Sequence, residues 1–196
     1  YTESRDRLIE IRRTEAKKAA EVMGTEVIFL GYHDYELDQL APGVLREQLV
    51  RLIRSLKPDI VVSIDPFAGN EAHPDHRALA WAGGDALNHS SLPLVYPHHL
   101  DEGLKPHFVC EKYFYSEDIS IHNKIVDITP YLNQKLEAMK AHDSQVEFLV
   151  EDFFRQARIA GIDLHQVLGS MMDTPFFALA YALTTQAEQI GSKIGV

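Results

Sequence analysis

The sequence predicts an α/β fold in which helices wrap a mostly parallel sheet. Three observations predict it. Helical and strand-like periodicities alternate from Arg5 to about Leu87. The strand candidates are short, uninterrupted apolar runs, the pattern of strands buried on both faces. The segment richest in histidine and carboxylate falls where one such strand passes into a helix, which is where open α/β sheets bind ligands. Of the 196 residues, 45% are hydrophobic and 24% charged, an ordinary globular balance, so one domain is expected over 1–196.

The elements follow in order. Leu8, Ile11, Ala16, Ala19, Ala20 and Met23 recur near helical spacing among Arg, Glu and Lys, which predicts a helix over 5–23 stopped by Gly24. Val27–Leu30, closed by Gly31, reads as a buried strand, followed by a polar loop carrying Tyr32, His33, Asp34, Glu36 and Asp38. Leu45, Leu49, Leu52, Ile53 and Leu56 mark a second helix ended by Pro58. Ile60–Ile64 is a β-branched strand running into the loop 65–70, and a helix is expected over 74–87. From Asn88 to Pro106 the pattern dissolves into Pro, His and Ser, a surface loop in which His98 and His99 read as solvated. Strands are expected at 110–115 and 124–128, then a helix over 130–142. A helical segment from about 146 continues to about Gln189, with weak breaks at Gly161, Gly169 and Pro175. Doubly wound sheets normally open on a strand, and this chain opens on a helix, so a strand–loop–helix–strand piece is expected to precede it.

Charge and cysteine usage exclude several functions. Nineteen Lys and Arg against twenty-nine Asp and Glu give a net charge of −10, which repels phosphate backbones and argues against nucleic acid and anionic membranes as partners. The densest apolar run, Phe176 to Leu183, is far short of the ~20 residues of a membrane span. One cysteine, Cys110, excludes an intrachain disulfide, suits a reducing, cytoplasmic setting, and is expected to be buried and inert. No Gly-x-Gly-x-x-Gly occurs, which counts against dinucleotide binding. A homo-oligomer stays open.

The segment Glu71-Ala72-His73-Pro74-Asp75-His76-Arg77 carries the chemistry. Pro74 suits the first helical position, which puts His73 at the cap and Asp75 and His76 in the first turn. Two imidazoles and a carboxylate there can supply a metal ligand, a proton donor and an orienting group. The same residues also make a polar helix cap with satisfied histidines. A catalytic zinc takes three protein ligands, and this segment alone does not provide them.

Further segments share an order and spacing with this one: Arg12-Arg13-Thr14-Glu15 ending in Met23-Gly24, Phe29-Leu30-Gly31-Tyr32-His33-Asp34, and Lys57-Pro58-Asp59-Ile60-Val61-Val62. Val126-Asp127-Ile128-Thr129, Lys135-Leu136-Glu137-Ala138 and Ala141-His142-Asp143-Ser144-Gln145 follow. Together they resemble the LmbE-like, or PIG-L, family of zinc-dependent N-acetylglucosaminyl deacetylases, over nearly all the chain to about Gln145. The resemblance implies a Rossmann-like three-layer fold, a Zn2+ or similar divalent cofactor, and a small amino-sugar substrate that loses its N-acetyl group. It implies that His76 is a metal ligand, that His73 faces the reacting carbonyl as an imidazolium, and that Asp75 orients His73. Arg12 and Asp34 are implied to bind substrate. The family's first signature, His-Pro-Asp-Asp, supplies its other two metal ligands and its base, and is absent from these residues.

Other readings stand beside these. Arg12 and Glu15 also suit a surface pair at i, i+3, Asp34 and Asp65 also suit turns, and His142 also suits a helix C-terminus. A metal-dependent amidase or hydratase on the same scaffold, or a sugar-binding protein without catalysis, remain alternative functions.

Overall fold

The computed structural model describes residues 3–116, 122–163, 166 and 175–194. Its elements run α1 (Arg5–Met23), α2 (Val44–Leu56), β1 (Ile60–Ile64), α3 (Pro74–His89), α4 (His98–Asp101), β2 (Glu111–Tyr115), α5 (Leu132–Lys140), α6 (Asp143–Ile159) and α7 (Pro175–Ile194). The chain divides into two compact units, Leu30–Ile125 and Tyr1–Phe29 with Val126–Val196.

In the unit Leu30–Ile125, β1 and β2 pair in parallel, with Ile60 opposite Glu111 and Ile64 opposite Tyr115. Parallel strands need a crossover, and α3 and α4 lie within it. α3 packs on β1, approaching closely at Gly83, where a Cβ would stand 2.8 Å from the Ser63 hydroxyl oxygen. The core joins Val50 and Ile53 of α2 to Ala86 and Leu87 of α3 and to Val109, with Val61 and Tyr96 against it. Burying these apolar surfaces stabilises the α2–α3–β1 packing by roughly 25 cal/mol per Å² removed from water.

In the terminal unit, the Ser4 hydroxyl caps α1 by accepting the Arg7 N–H at 3.3 Å, and Gly24 closes the helix with φ 67°. α1 packs on α5 and α6, and α6 on α7. Glu15, which also suited a surface pair, is buried, and its carboxylate accepts the Ser144 N–H at 2.8 Å and hydroxyl at 2.7 Å. It thereby satisfies donors in the first turn of α6. No described helix is long and apolar enough to cross a membrane.

Several expectations are corrected. Residues 27–30 and 124–128 form no strand. Apolar, β-branched composition makes a strand only where a neighbour takes its backbone hydrogen bonds, and among the described residues only β1 and β2 pair. The sequence predicts β1 buried on both faces, yet Ile60 and Val62 are exposed. The 88–106 loop contains α4 and buries Ser90 and His99 completely. Cys110 is exposed and precedes β2 by one residue. The helix expected over 130–142 begins at Leu132, after a 3-10 turn at Thr129–Tyr131, and α6 starts at Asp143. Gly161 takes φ 76° just beyond α6, Pro175 opens α7, and Gly169 lies outside the described residues.

Candidate active site

The site is built where β1 hands over to α3. Beyond Ile64, the Asp65 N–H donates to the Tyr115 carbonyl at 2.9 Å, and the Asp65 carboxylate accepts the Phe67 N–H at 2.9 Å, turning the chain off the sheet. Asp65 is therefore a turn residue. The chain then reaches Glu71, whose carboxylate accepts the His73 N–H at 2.8 Å. The Arg77 guanidinium donates to the carbonyls of Glu71 at 3.1 Å and Ala72 at 2.6 Å, clamping the turn from the helix side.

Pro74 occupies the first helical position, and His73 is the cap, extended at φ −76°, ψ 124°. Its Nδ1 accepts the Asp75 N–H at 3.2 Å, satisfying a donor that the first turn leaves orphaned. Asp75 is buried, and one carboxylate oxygen accepts the N–H of Leu37 at 3.1 Å and of Asp38 at 3.4 Å. This fastens the 3-10 turn Leu37–Gln39 to the start of α3 and brings Asp34 within 3.3 Å of His73 Nε2. Tyr35, at φ 61°, lays its ring 4.8 Å from that of His73. On the other side His76 stacks on His73 at 4.7 Å, and its Nδ1 lies 3.1 Å from the Glu71 carboxylate.

These hydrogen bonds sort the two histidines. Because His73 Nδ1 accepts from the backbone, the ring carries its proton on Nε2, which lies 3.3 Å from the Asp34 carboxylate. The cap contact takes up Nδ1 and leaves Nε2 as the outward-facing nitrogen of the His73 ring. For His76 the order is reversed. Its Nδ1–H donates to Glu71, which leaves the Nε2 lone pair with no hydrogen-bond partner among the described residues. An imidazole whose other N–H is held by a carboxylate is the usual form of a metal-ligating histidine. Accepting the His73 N–H, and then the His76 contact, hold the Glu71 carboxyl below the usual range, so the anion that orients His76 is well supported.

Asp34, His73 and Asp75 also offer donor atoms within 4.8 Å of one another, close enough to hold a metal ion. Their hydrogen bonds point elsewhere. A metal on His73 Nε2 would need the proton on Nδ1, against the Asp75 N–H. A divalent ion on His76 Nε2, with Glu71 behind the ring, would leave these hydrogen bonds in place.

A second cluster, Glu47, His98 and His99, has the same spacing. It is held by Arg54, which sequence reasoning missed. The Arg54 side chain is completely buried, and its five N–H donors go to the carbonyls of Ser90, Leu92, Val95 and Tyr96 and to His99 Nδ1 at 3.0 Å. Burial pushes the Arg54 pKa down from its ordinary value. Since His99 Nδ1 accepts from Arg54, its proton sits on Nε2 and donates to Glu47 at 2.6 Å. A metal at His99 Nε2 would set Nδ1–H against the guanidinium, so this cluster is a hydrogen-bond relay. Burial pushes the Glu47 pKa up, but hydrogen bonds from His99 and Arg51 outweigh it and hold the carboxyl at about 2.

The structure thus brings Asp34, His73, Asp75 and His76 together. Arg12 belongs to the terminal unit, on α1, where its guanidinium faces the Gln145 side-chain oxygen at 3.0 Å in the amide orientation that satisfies both groups. His142 immediately precedes α6.

Fold and site together define an α/β domain with a histidine–carboxylate site at the passage from a parallel strand to a helix N-terminus. Residues 1–87 match the family described as PIG-L: GlcNAc-PI de-N-acetylase. The chain is 35% identical over 135 residues to the diacetylchitobiose deacetylase of Thermococcus kodakarensis, covering 68% of this chain and 49% of that protein. It is 30% identical over 156 residues to the "Probable N-acetyl-alpha-D-glucosaminyl L-malate deacetylase 2" of Bacillus anthracis, covering 78% and 64%. The solved N,N'-diacetylchitobiose deacetylase of Pyrococcus horikoshii, in complex with its inhibitor MPG, superposes with a TM-score of 0.64 at 32% identity, covering 74% of this chain and 54% of that one. The conserved protein TT1542 of Thermus thermophilus shares the fold at a TM-score of 0.54, with 24% identity, over 79% and 69% of the two chains. The comparisons thus agree on the PIG-L, or LmbE-like, family, whose match falls on residues 1–87 of this chain. The chain spans between about half and two thirds of the length of these curated relatives.

Proposed function

We propose that these residues belong to a zinc-dependent deacetylase that hydrolyses the amide of an N-acetylglucosamine-type sugar, a carbon–nitrogen bond outside any peptide. The observation that carries this reading is the opposite hydrogen bonding of the stacked pair His73 and His76. His76 Nε2 is the atom that would hold the ion, with the Glu71 carboxylate fixing the ring. A divalent ion there would supply an activated water for attack on the acetamide carbon.

The chain's own residues do the rest. His73 keeps a proton on Nε2 and donates it as a hydrogen bond to the oxygen that gains charge in the tetrahedral state. The helix cap fixes that donor before substrate arrives, so little reorganisation is needed. Asp75 acts at one remove, tying the Leu37–Gln39 turn to α3 so that Asp34 faces His73. Asp34 is 66% exposed and has lone pairs left to accept sugar hydroxyls. Arg12 is assigned to the substrate's acetyl or sugar end on the family resemblance alone. The acidic surface and the single cysteine suit a cytoplasmic enzyme with a small, uncharged substrate.

The test is acetate release from N-acetylglucosamine and N,N'-diacetylchitobiose by the full-length protein, with zinc content measured on the same samples. Turnover that is abolished by chelation and restored by zinc supports the reading. A zinc-replete protein that releases no acetate from either sugar overturns it.

A further inference from the structure

Resting on the deacetylase reading, we propose that Tyr35 is a positioning residue for the reaction, held in a strained backbone conformation so that its ring fixes the His73 imidazole. Tyr35 has φ 61°, a left-handed region that bulky residues seldom occupy because Cβ crowds the following carbonyl. Such strain persists only where the surroundings over-determine the backbone, and it gathers at functional sites.

The surroundings of Tyr35 do over-determine it. The Glu36 carboxylate accepts the His33 N–H at 2.6 Å, closing the turn across Tyr35. The Gln39 side-chain amide donates to the Tyr35 carbonyl, also at 2.6 Å. Buried Asp75 takes the Leu37 and Asp38 N–H groups at 3.1 and 3.4 Å. None of these bonds uses the tyrosine ring. They fix the backbone on both sides of it, and an ordinary negative φ would re-aim the Cα–Cβ bond and take the ring off His73.

What the strained conformation secures is the contact with His73. The two ring centroids lie 4.8 Å apart at 38°. His76 stacks on the same imidazole at 4.7 Å, and the Asp75 N–H holds its Nδ1 at 3.2 Å. A single bond at Nδ1 leaves the ring plane free to tilt about it, and packed rings oppose that tilt. With the plane set, Nε2 is aimed before substrate arrives, and a donor fixed in advance stabilises developing charge without reorganisation. Tyr35 acts through His73, so its effect belongs to kcat and not to ground-state binding.

The full-length protein is compared with Tyr35→Gly, Tyr35→Ala and Tyr35→Phe. Gly and Ala both remove the ring, but only Gly accepts φ 61° without strain. On N-acetylglucosamine both should lose about tenfold in kcat with KM unchanged, the size of one aromatic contact. Tyr35→Phe should recover the loss. In urea, Tyr35→Gly should unfold at a higher midpoint than Tyr35→Ala. Magnetic resonance of labelled histidine, with His73 assigned against His73→Asn, reads the contact without turnover. The His73 ring signal should move in Tyr35→Gly and Tyr35→Ala, which lack the tyrosine ring current, and stay near its place in Tyr35→Phe. Unchanged kcat in Tyr35→Gly overturns the proposal, and so does a raised KM alone, which would make Tyr35 a substrate contact. A kcat that follows the urea midpoint, recovering from Tyr35→Ala to Tyr35→Gly, overturns it because the ring then serves only the fold. Tyr35→Phe as slow as Tyr35→Gly overturns it in favour of the hydroxyl, and a Tyr35→Gly midpoint no higher than that of Tyr35→Ala overturns the strained aim. Acetate release with an unmoved His73 signal in Tyr35→Gly overturns the positioning contact and leaves the deacetylase reading standing. A moved signal with no acetate released by any of these proteins, wild type included, supports the contact and overturns the deacetylase reading.

Discussion

His73 and His76 stack 4.7 Å apart, yet His73 accepts a backbone hydrogen bond at Nδ1 while the Nδ1 of His76 faces a carboxylate. Two identical side chains three residues apart are thereby given different protonation patterns. The cap commits one ring to donating from Nε2. The carboxylate frees the Nε2 lone pair of the other.

Glu71→Gln is therefore expected to weaken metal binding without removing a ligand. Loss of the carboxylate behind a ligating imidazole typically costs about 10–100-fold in metal affinity. His76→Ala should lose the ion at any practical concentration. Competition with a chromophoric chelator on the full-length protein measures both. Equal zinc affinity in wild type and Glu71→Gln would show that His76 does not hold the ion through Nε2.

The two jobs of His73 can be separated by substitution. His73→Ala removes both the cap and the Nε2–H donor, and cap loss should cost about 1 kcal/mol of stability. His73→Asn keeps a good cap and should return to near wild-type stability in urea unfolding. Both variants lack the donor and should lose about 10²–10³ in kcat with zinc retained. A His73→Asn enzyme with normal kcat would reduce His73 to a structural cap.

How much of this was legible in the sequence follows from the range of the forces involved. α1, β1 and α3 carry their signals locally: Ser4 and Gly24 bound the first, a β-branched run makes the second, and Pro74 opens the third. The His73–His76 segment is equally local, so spacing alone reveals it. Residues 27–30 carry a strand's composition, but pairing is a property of the neighbour. Arg54 was invisible for a related reason. Beside Arg51 on α2 it reads as a solvated face, and only the fold wraps the carbonyls of residues 90–96 around it. Asp34 approaches His73 from 39 residues away, and only the family resemblance singled it out.

Arg54 is expected to be the most sensitive position outside the site. Arg54→Met would leave four carbonyls and His99 Nδ1 facing an apolar chain, since no water can replace five donors in a closed pocket. Destabilisation of about 3 kcal/mol or more should follow, read from the urea midpoint. Arg54→Lys should rescue little, because an ammonium has three donors and cannot span the fork. A midpoint unchanged in Arg54→Met would mean that the 90–99 loop does not depend on this guanidinium.

Glu47 links that buried relay to pH. Its carboxyl is held at about 2 in the folded protein, against an ordinary 4.5. A depressed carboxylate pKa stabilises the fold above the unfolded value and loses that contribution as pH falls toward the folded one. The window is therefore about 4.5 down to 2. Glu47 is only 26% exposed, so solvent screening removes part of the effect and leaves about 2 kcal/mol. Glu47→Gln keeps an acceptor for His99 Nε2–H but has no proton to take up. It should be less stable than wild type at pH 6, and the gap should close as pH approaches 2. Urea unfolding of both proteins across that range is the measurement. A gap that stays constant with pH would show that the His99 and Arg51 hydrogen bonds do not hold the Glu47 charge.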